Sequence, residues 1–410
     1  MKKKYVVPAI TVFLILISAG YLYNLHSFAT KYWGFVIGDW FINFNGGFVR
    51  RGLSGYLIML VSDFFHLKPC NTLIGLQSVF YLAYVLLFFL LFYGKKLNAW
   101  FMLSLLSPAT LLFTTFDPNA AGRKEIILFF IYVIYLWCLE KDLIKSNFMI
   151  LLFSLALLIG TMFHELMFFY TPYFMVAAYL HAVKNGRPFY FFKSLWMIAG
   201  SWIVMLPILV YGSTIDGYAI CSVLKDGGLP DSICLGILSW PQNYGWKDVA
   251  AFAGESNYIF VYGTTFFLSL IPFILQVKFP DKGDIKLKKF ILVFGLLIVF
   301  SIPLFILAVD WGRWINIHFM LLLFTSTIFL KKETDDEKLS AESLYVTLPA
   351  ILTGKYALTK RTNDALFFLM AFAYISLWSM PHFGYSSVFS LTKNFYSVKH
   401  MITDVLNALF

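Results

Sequence analysis

The chain has 410 residues, of which 60% are hydrophobic, 20% aromatic and 13% charged, with a formal net charge of +10 and a mean hydropathy of +0.75. Soluble domains carry about 25% charged residues. Here the deficit runs along the whole chain, which excludes a soluble enzyme, a nucleic-acid binder and a disulfide scaffold and leaves a polytopic membrane protein.

A bilayer core of about 30 Å needs roughly 20 apolar residues per helix. On that ruler the predicted spans are 5–27, 72–93, 97–115, 125–139, 147–163, 166–182, 192–213, 258–277, 290–309, 315–330 and 365–380. The expectation is an all-α transmembrane bundle of about eleven spans, a single integral membrane domain over 1–410. Lys2 to Lys4 place the N-terminal end inside, and with no small-residue cleavage site after it the first span reads as retained. Residues 28–71 then form the first outside loop, with 53–67 as a half-embedded or surface helix. Residues 214–257 form a large outside loop and 331–364 a cytoplasmic one. With this parity the whole net charge falls on the inner face, as the positive-inside rule requires. Cys221 and Cys234 in the large outside loop either pair in an oxidising compartment or stay free. Cys70 and Cys138 read as buried thiols, and no metal-ligand spacing occurs.

Ionisable groups at span ends are functional candidates, and they gather in outside loops. GDWFINFNGGFVRRGLSG carries Asp39, Arg50 and Arg51. Its arginines offer planar forks matched to phosphate oxygens or anchor an interfacial helix at headgroups, and Gly46 and Gly47 allow a sharp bend. FDPNAAGRKE carries Asp117, Arg123, Lys124 and Glu125 at a helix start, where anions are favoured and where a capped helix with a local ion pair is the simpler account. His164-Glu165 starts like the H-E-x-x-H zinc motif, but Phe168 stands where the second histidine would be, so no metal is expected. Asp310 and Arg313 share the short turn DWGRW and either pair with each other or join the site. Lys225 and Lys247 are weaker candidates.

This pattern resembles membrane glycosyltransferases of the GT-C type, including bacterial O-antigen polymerases and O-antigen-modifying glucosyltransferases. The resemblance covers mainly residues 1–182 and is architectural. Asp39 stands where the family carries a catalytic acid in its first outside loop, 53–67 where it carries a juxtamembrane helix, and Asp117 where it places a second acid. Asp39 is followed by Trp40 rather than by another acid, and only one outside loop is long. The resemblance implies a polyprenyl-(di)phosphate saccharide donor, a saccharide acceptor and the outer face of a bacterial inner membrane, with membrane lipids and polysaccharide-assembly proteins as partners and no cofactor. Asp39, Asp117, His164 and Glu165 are then the expected catalytic groups. Arg50, Arg51, Arg123, Lys124 and Arg313 are the expected phosphate ligands, supported by Glu125 and Asp310. The competing classes are a transporter or flippase of lipid-linked saccharide and an outer-face acyltransferase using His164 or His318.

Overall fold

The computed structural model describes residues 3–212, 216–235, 245–278, 287–331, 360–384 and 388–409. Most of the expected cytoplasmic loop 331–364 and part of the large loop 214–257 therefore lie outside the described residues. The described chain is helical and holds no strand beyond one isolated bridge between Trp378 and Phe389. In chain order the helices are α1 (Lys3–Thr30), α2 (Gly34–Ile37), α3 (Gly52–Phe65), α4 (Pro69–Phe92), α5 (Ala99–Leu105), α6 (Phe113–Phe116), α7 (Glu125–Glu140) and α8 (Asn147–Phe163). They continue with α9 (Leu166–Tyr170), α10 (Pro172–Lys184), α11 (Phe191–Tyr211), α12 (Gly217–Asp226), α13 (Trp246–Glu255), α14 (Tyr258–Lys278), α15 (Leu287–Leu307) and α16 (Trp311–Ser326). The last two are α17 (Lys360–Ser376) and α18 (Leu391–Leu409).

Among the described residues, six helical segments are long and apolar enough to cross a membrane: Val6–Thr30, Pro69–Phe92, Leu166–Lys184, Phe191–Tyr211, Tyr258–Gln276 and Leu287–Leu307. This is a multi-pass helical membrane protein. The outward faces of α11 and α15 are rows of exposed Ile203, Leu206, Leu209, Val210, Leu292, Leu296 and Val299, a surface suited to lipid.

Not every expected span is one long helix. Residues 97–115 form α5 and α6 with an irregular stretch between them, because Pro108 cannot donate to a helical ladder and Thr110 Oγ1 turns back to the Ser104 carbonyl at 2.7 Å. Helices α7 and α16 have 16 residues each, about 24 Å at 1.5 Å per residue, shorter than a bilayer core. Every residue of α16 from Gly312 to Ser326 is buried. It is the central post of the bundle, wrapped by α5, α7, α14 and α15. On the flank, α8 and α11 pack along their length. A Cβ on Gly200 would lie 2.0 Å from the Ser154 carbonyl oxygen, and Thr161 and Ser201 share a 2.6 Å hydroxyl bond. Small and hydroxylated residues at the contact are how helices approach in lipid.

The bundle has two chemically different ends. At one, Lys95 bonds Glu140 and the Thr327 carbonyl, Lys184 bonds the Ile328 carbonyl, and Arg187 pairs with Asp142. At the other lie the loops that follow α1, precede α7, follow α8 and precede α16. They bring every cluster singled out from the sequence, except the Lys225 and Lys247 group, to one end. Helix α3 sits beside them with Tyr56, Leu60, Phe64 and Phe65 exposed, as the expected surface helix would.

Cysteines placed at Phe48 and Tyr218, both exposed at the second end, and at Lys96 and Lys145, both exposed at the first, will distinguish the ends. The native thiols are silent, since Cys70 and Cys138 are buried and Cys221 pairs with Cys234. An impermeant maleimide is expected to label one pair in intact cells and the other only after lysis. Labelling of all four from one side would break the two-ended arrangement.

Candidate functional site

The loop after α1 is shaped to place Asp39 and Arg51 side by side. A 3-10 turn over Gly38–Phe41 carries Asp39. The Asn43 side chain then caps a second turn by accepting from the Asn45 N–H at 3.0 Å. Gly47 follows with a φ of 92°, a conformation that glycine adopts without a Cβ penalty. Helix α3 leans directly on this loop. A Cβ on Gly55 would stand 2.3 Å from the Ile42 carbonyl oxygen, and the Gly55 N–H donates to that carbonyl at 3.0 Å. Arg51, at the start of α3, is held in the left-handed region at φ 68°. Such a conformation costs a non-glycine residue about 1–3 kcal/mol and persists where surroundings over-determine it.

Those surroundings are two carboxylates. Arg51 Nε donates to both Glu165 oxygens at 3.0 and 2.8 Å, Nη2 donates to Glu165 Oε1 at 2.5 Å, and Nη1 donates to Asp39 Oδ1 at 3.1 Å. Asp39 Oδ2 also faces Lys124 Nζ at 3.5 Å, and Arg50 Nη1 stands 3.7 Å from Glu165. Burial pushes the Asp39 carboxyl up, but Lys124 and Arg51 together outweigh it and hold it well below the usual carboxylate range. Glu165 is held low in the same way, against its burial, by Arg51 first. Burial pulls the Lys124 ammonium down to about 8 against the attraction of Asp39. Burial and Arg51 also keep the His164 imidazole neutral. His164 Nδ1 accepts from the Leu166 N–H at 3.2 Å, which puts the ring proton on Nε2.

A second ion pair adjoins the first. Arg313 Nε donates to Glu125 Oε1 at 2.8 Å, with Nη2 on the same oxygen, and Nη1 lies 3.4 Å from Asp310. Between the two groups stands Arg123. It donates to the Phe35 carbonyl at 3.1 Å, lies 5.2 Å over the Phe35 ring, and has one amino group, Nη2, buried with no partner among the described residues. Burial and the nearby Arg313 lower this guanidinium to about 10. The loops are pinned together by Trp40 Nε1, which donates to the Gly122 carbonyl at 2.7 Å, and by Tyr21, whose hydroxyl accepts from the Gly122 N–H at 3.2 Å.

Asp39, Arg50, Arg51, Lys124, His164 and Glu165 thus form one connected network, and Arg123, Glu125, Asp310 and Arg313 form its neighbour. Asp117 joins through a residue that the sequence reading missed. Its Oδ2 accepts from both the backbone N–H and Nδ1 of His382 at 2.8 Å. His382 follows the last predicted span and therefore belongs to the same face, which was the one available signal. Lys225 and Lys247 do not reach this network. Lys225 pairs with Asp231 at 2.6 Å and Lys247 lies over Trp246. His318 is not a free base either, because Nδ1 meets the Tyr173 hydroxyl at 2.7 Å and Nε2 the Ser301 hydroxyl at 2.8 Å. Among the described residues no three His, Cys, Asp or Glu side chains gather as a metal site.

Removing one partner of a buried ion pair costs about 3–5 kcal/mol, because the other charge stays buried. Arg51→Met is therefore expected to lower the melting temperature of the purified protein clearly, and adding Glu165→Gln to recover part of the loss. A thermal scan in which Arg51→Met melts with the wild type would refute the bridging role.

Comparison with protein-family models, with curated proteins and with solved structures returned no match for this chain, so the chemistry of this site alone carries its interpretation.

Proposed function

We propose that this protein is a membrane glycosyltransferase or polymerase of the GT-C kind, moving a sugar or oligosaccharide unit from a polyprenyl-(di)phosphate donor to a saccharide acceptor. The reaction would take place at the outer face of a bacterial inner membrane during surface-polysaccharide assembly. The observation that carries the reading is the convergence of acids and bases from five separated stretches at one end of an apolar bundle, with a guanidinium left partly unbound among them. Breaking a glycosyl–phosphate bond leaves negative charge on the phosphate, and fixed cations in a water-poor site stabilise it.

The geometry divides the cations by task. Arg51 and Arg313 are saturated by carboxylates and hold the frame. Arg123, bonded only to carbonyls, and Arg50, with nearly half its side chain exposed, remain for a donor phosphate. Lys124 sets the charge beside Asp39. The Lys-rich opposite end suits the inner face under the positive-inside rule.

A flippase is the second reading, favoured by the interruption between α5 and α6, since transporters use broken helices. Deleting the gene separates the two. Loss of the transferase is expected to shorten or remove the surface-polysaccharide ladder on a gel and to leave lipid-linked saccharide accessible on the outer leaflet. Saccharide trapped on the inner leaflet would favour the flippase, and an unchanged ladder would sink both.

The Lys124 ammonium gives a pH test. As pH rises through about 8 it loses its proton, Asp39 loses that partner, and transfer activity is expected to fall. Lys124→Arg keeps the charge to far higher pH, so the alkaline fall is expected to disappear in that variant. An identical alkaline limb in both proteins would remove Lys124 from the site's charge balance.

A further inference from the structure

Two buried histidines, His164 and His382, belong to the site, and they present opposite faces of the same chemistry. His164 has its lone pair on Nδ1 occupied by the Leu166 N–H, so its other nitrogen, Nε2, buried and without a partner among the described residues, can only donate. His382 is the reverse. Asp117 Oδ2 takes both its backbone N–H and Nδ1, each at 2.8 Å, which fixes the ring proton on Nδ1 and leaves Nε2 as an acceptor. That Nε2 is buried and has no partner among the described residues, and the residue as a whole is only 3% exposed. Buried polar atoms are almost always hydrogen-bonded, so this unsatisfied acceptor asks for a donor, which a bound molecule would supply.

The segment that carries His382 is held from several sides. The Gly312 N–H donates to the His382 carbonyl at 3.2 Å, and the Gly384 N–H donates to the Tyr258 hydroxyl at 2.7 Å. A Cβ on Gly312 would fall 1.8 Å from the Pro381 carbonyl oxygen, so only glycine lets α16 and this segment touch. The imidazole packs against Phe35 at 6.3 Å between ring centres, and Arg123 covers the same ring. The lone pair and the guanidinium, whose Nη2 alone lacks a partner among the described residues, therefore share one aromatic platform. Asp39, by contrast, is clamped by Arg51 and Lys124 as a stabilised carboxylate, and a stabilised carboxylate is a weak general base.

We infer that His382 is the catalytic base of this site and that Asp117 is its positioning residue. The inference rests on the transfer reading above. In the step, His382 Nε2 takes the proton of the acceptor hydroxyl as that oxygen bonds to the anomeric carbon of the donor. The bond from that carbon to the phosphate oxygen breaks, the electron pair leaves on the phosphate, and Arg123 meets the new charge. The imidazolium afterwards returns its proton to water. The ligand at Nε2 is thus a sugar hydroxyl.

The test uses the purified full-length protein and, as donor, the lipid-linked saccharide pool extracted from the deletion strain, with release of polyprenyl (di)phosphate as the readout. His382→Asn can keep the hydrogen bond to Asp117 through its amide but has no base, so a fall of about 10² to 10⁴-fold is expected, with unchanged abundance in the membrane. His382→Gln is expected to fall similarly. A purely structural histidine would leave His382→Asn near wild type, and half or more of wild-type activity there overturns the inference while the transfer reading stands. An unaltered polysaccharide ladder in the deletion strain overturns both. Nitrogen-15 imidazole spectra decide independently of any variant's folding. The wild type must show His382 protonated on Nδ1, and Asp117→Asn must shift that tautomer and lower activity together. A wild-type His382 protonated on Nε2 would end the proposal.

Discussion

A charge buried in an apolar bundle must be paired, and here one guanidinium pairs two carboxylates that the chain supplies 12 and 114 residues away. Arg51 is therefore more than a member of the site. It ties the loop after α1 to the corner between α8 and α9, and through Asp39 it reaches Lys124 at the start of α7. The left-handed backbone at Arg51 is consistent with this priority, because the side chain's reach is satisfied at the expense of an easy backbone conformation.

Around that tie, contacts without a side chain set the distances. Gly55 lets α3 lie on the loop that carries Asp39, and Gly312 lets α16 meet the segment that carries His382. Gly34 does the same for the outer loop, since a Cβ there would sit 2.3 Å from the carbonyl oxygens of Ser232 and Leu235, next to the disulfide of Cys221 and Cys234. Polar groups then lock what the glycines permit, with Trp40 on Gly122 as the clearest case. The opposite end has, among the described residues, lysines on carbonyls and single acids and no comparable network.

Much of the architecture was legible because hydropathy reports burial in lipid directly. Helices occur in nearly all the predicted spans, the surface helix at 53–67 appears as Gly52–Phe65, and the candidate ions of the four main clusters meet at one end. Hydropathy alone could not see that 97–115 is broken, because the interruption comes from a proline and a hydroxyl inside an apolar run. It also could not separate lipid-facing helices from α16, which protein surrounds so fully that Gly312 to Ser326 are all buried, Arg313, Asn316 and His318 included. Parity arguments placed Arg51 and Glu165 on one face but carried no information about pairing. Arg51 and Arg313, expected as phosphate ligands, are each paired with acids in the structure, a pairing that spacing did not reveal. His382 was missed because a lone histidine has no spacing, and its meaning comes only from Asp117, 265 residues earlier.

The same separation has a temporal side. Domains emerge from the ribosome at about 5–20 residues per second, so Arg51 waits about 6 to 23 s for Glu165 to be made, and Asp117 waits longer still for His382. During that interval Arg51 has only Asp39, made 12 residues before it, and Asp117 does not yet have His382. Their position at the ends of helices rather than at mid-span is what makes that interval survivable, since headgroups and water can hold the charges until the far end of the chain arrives.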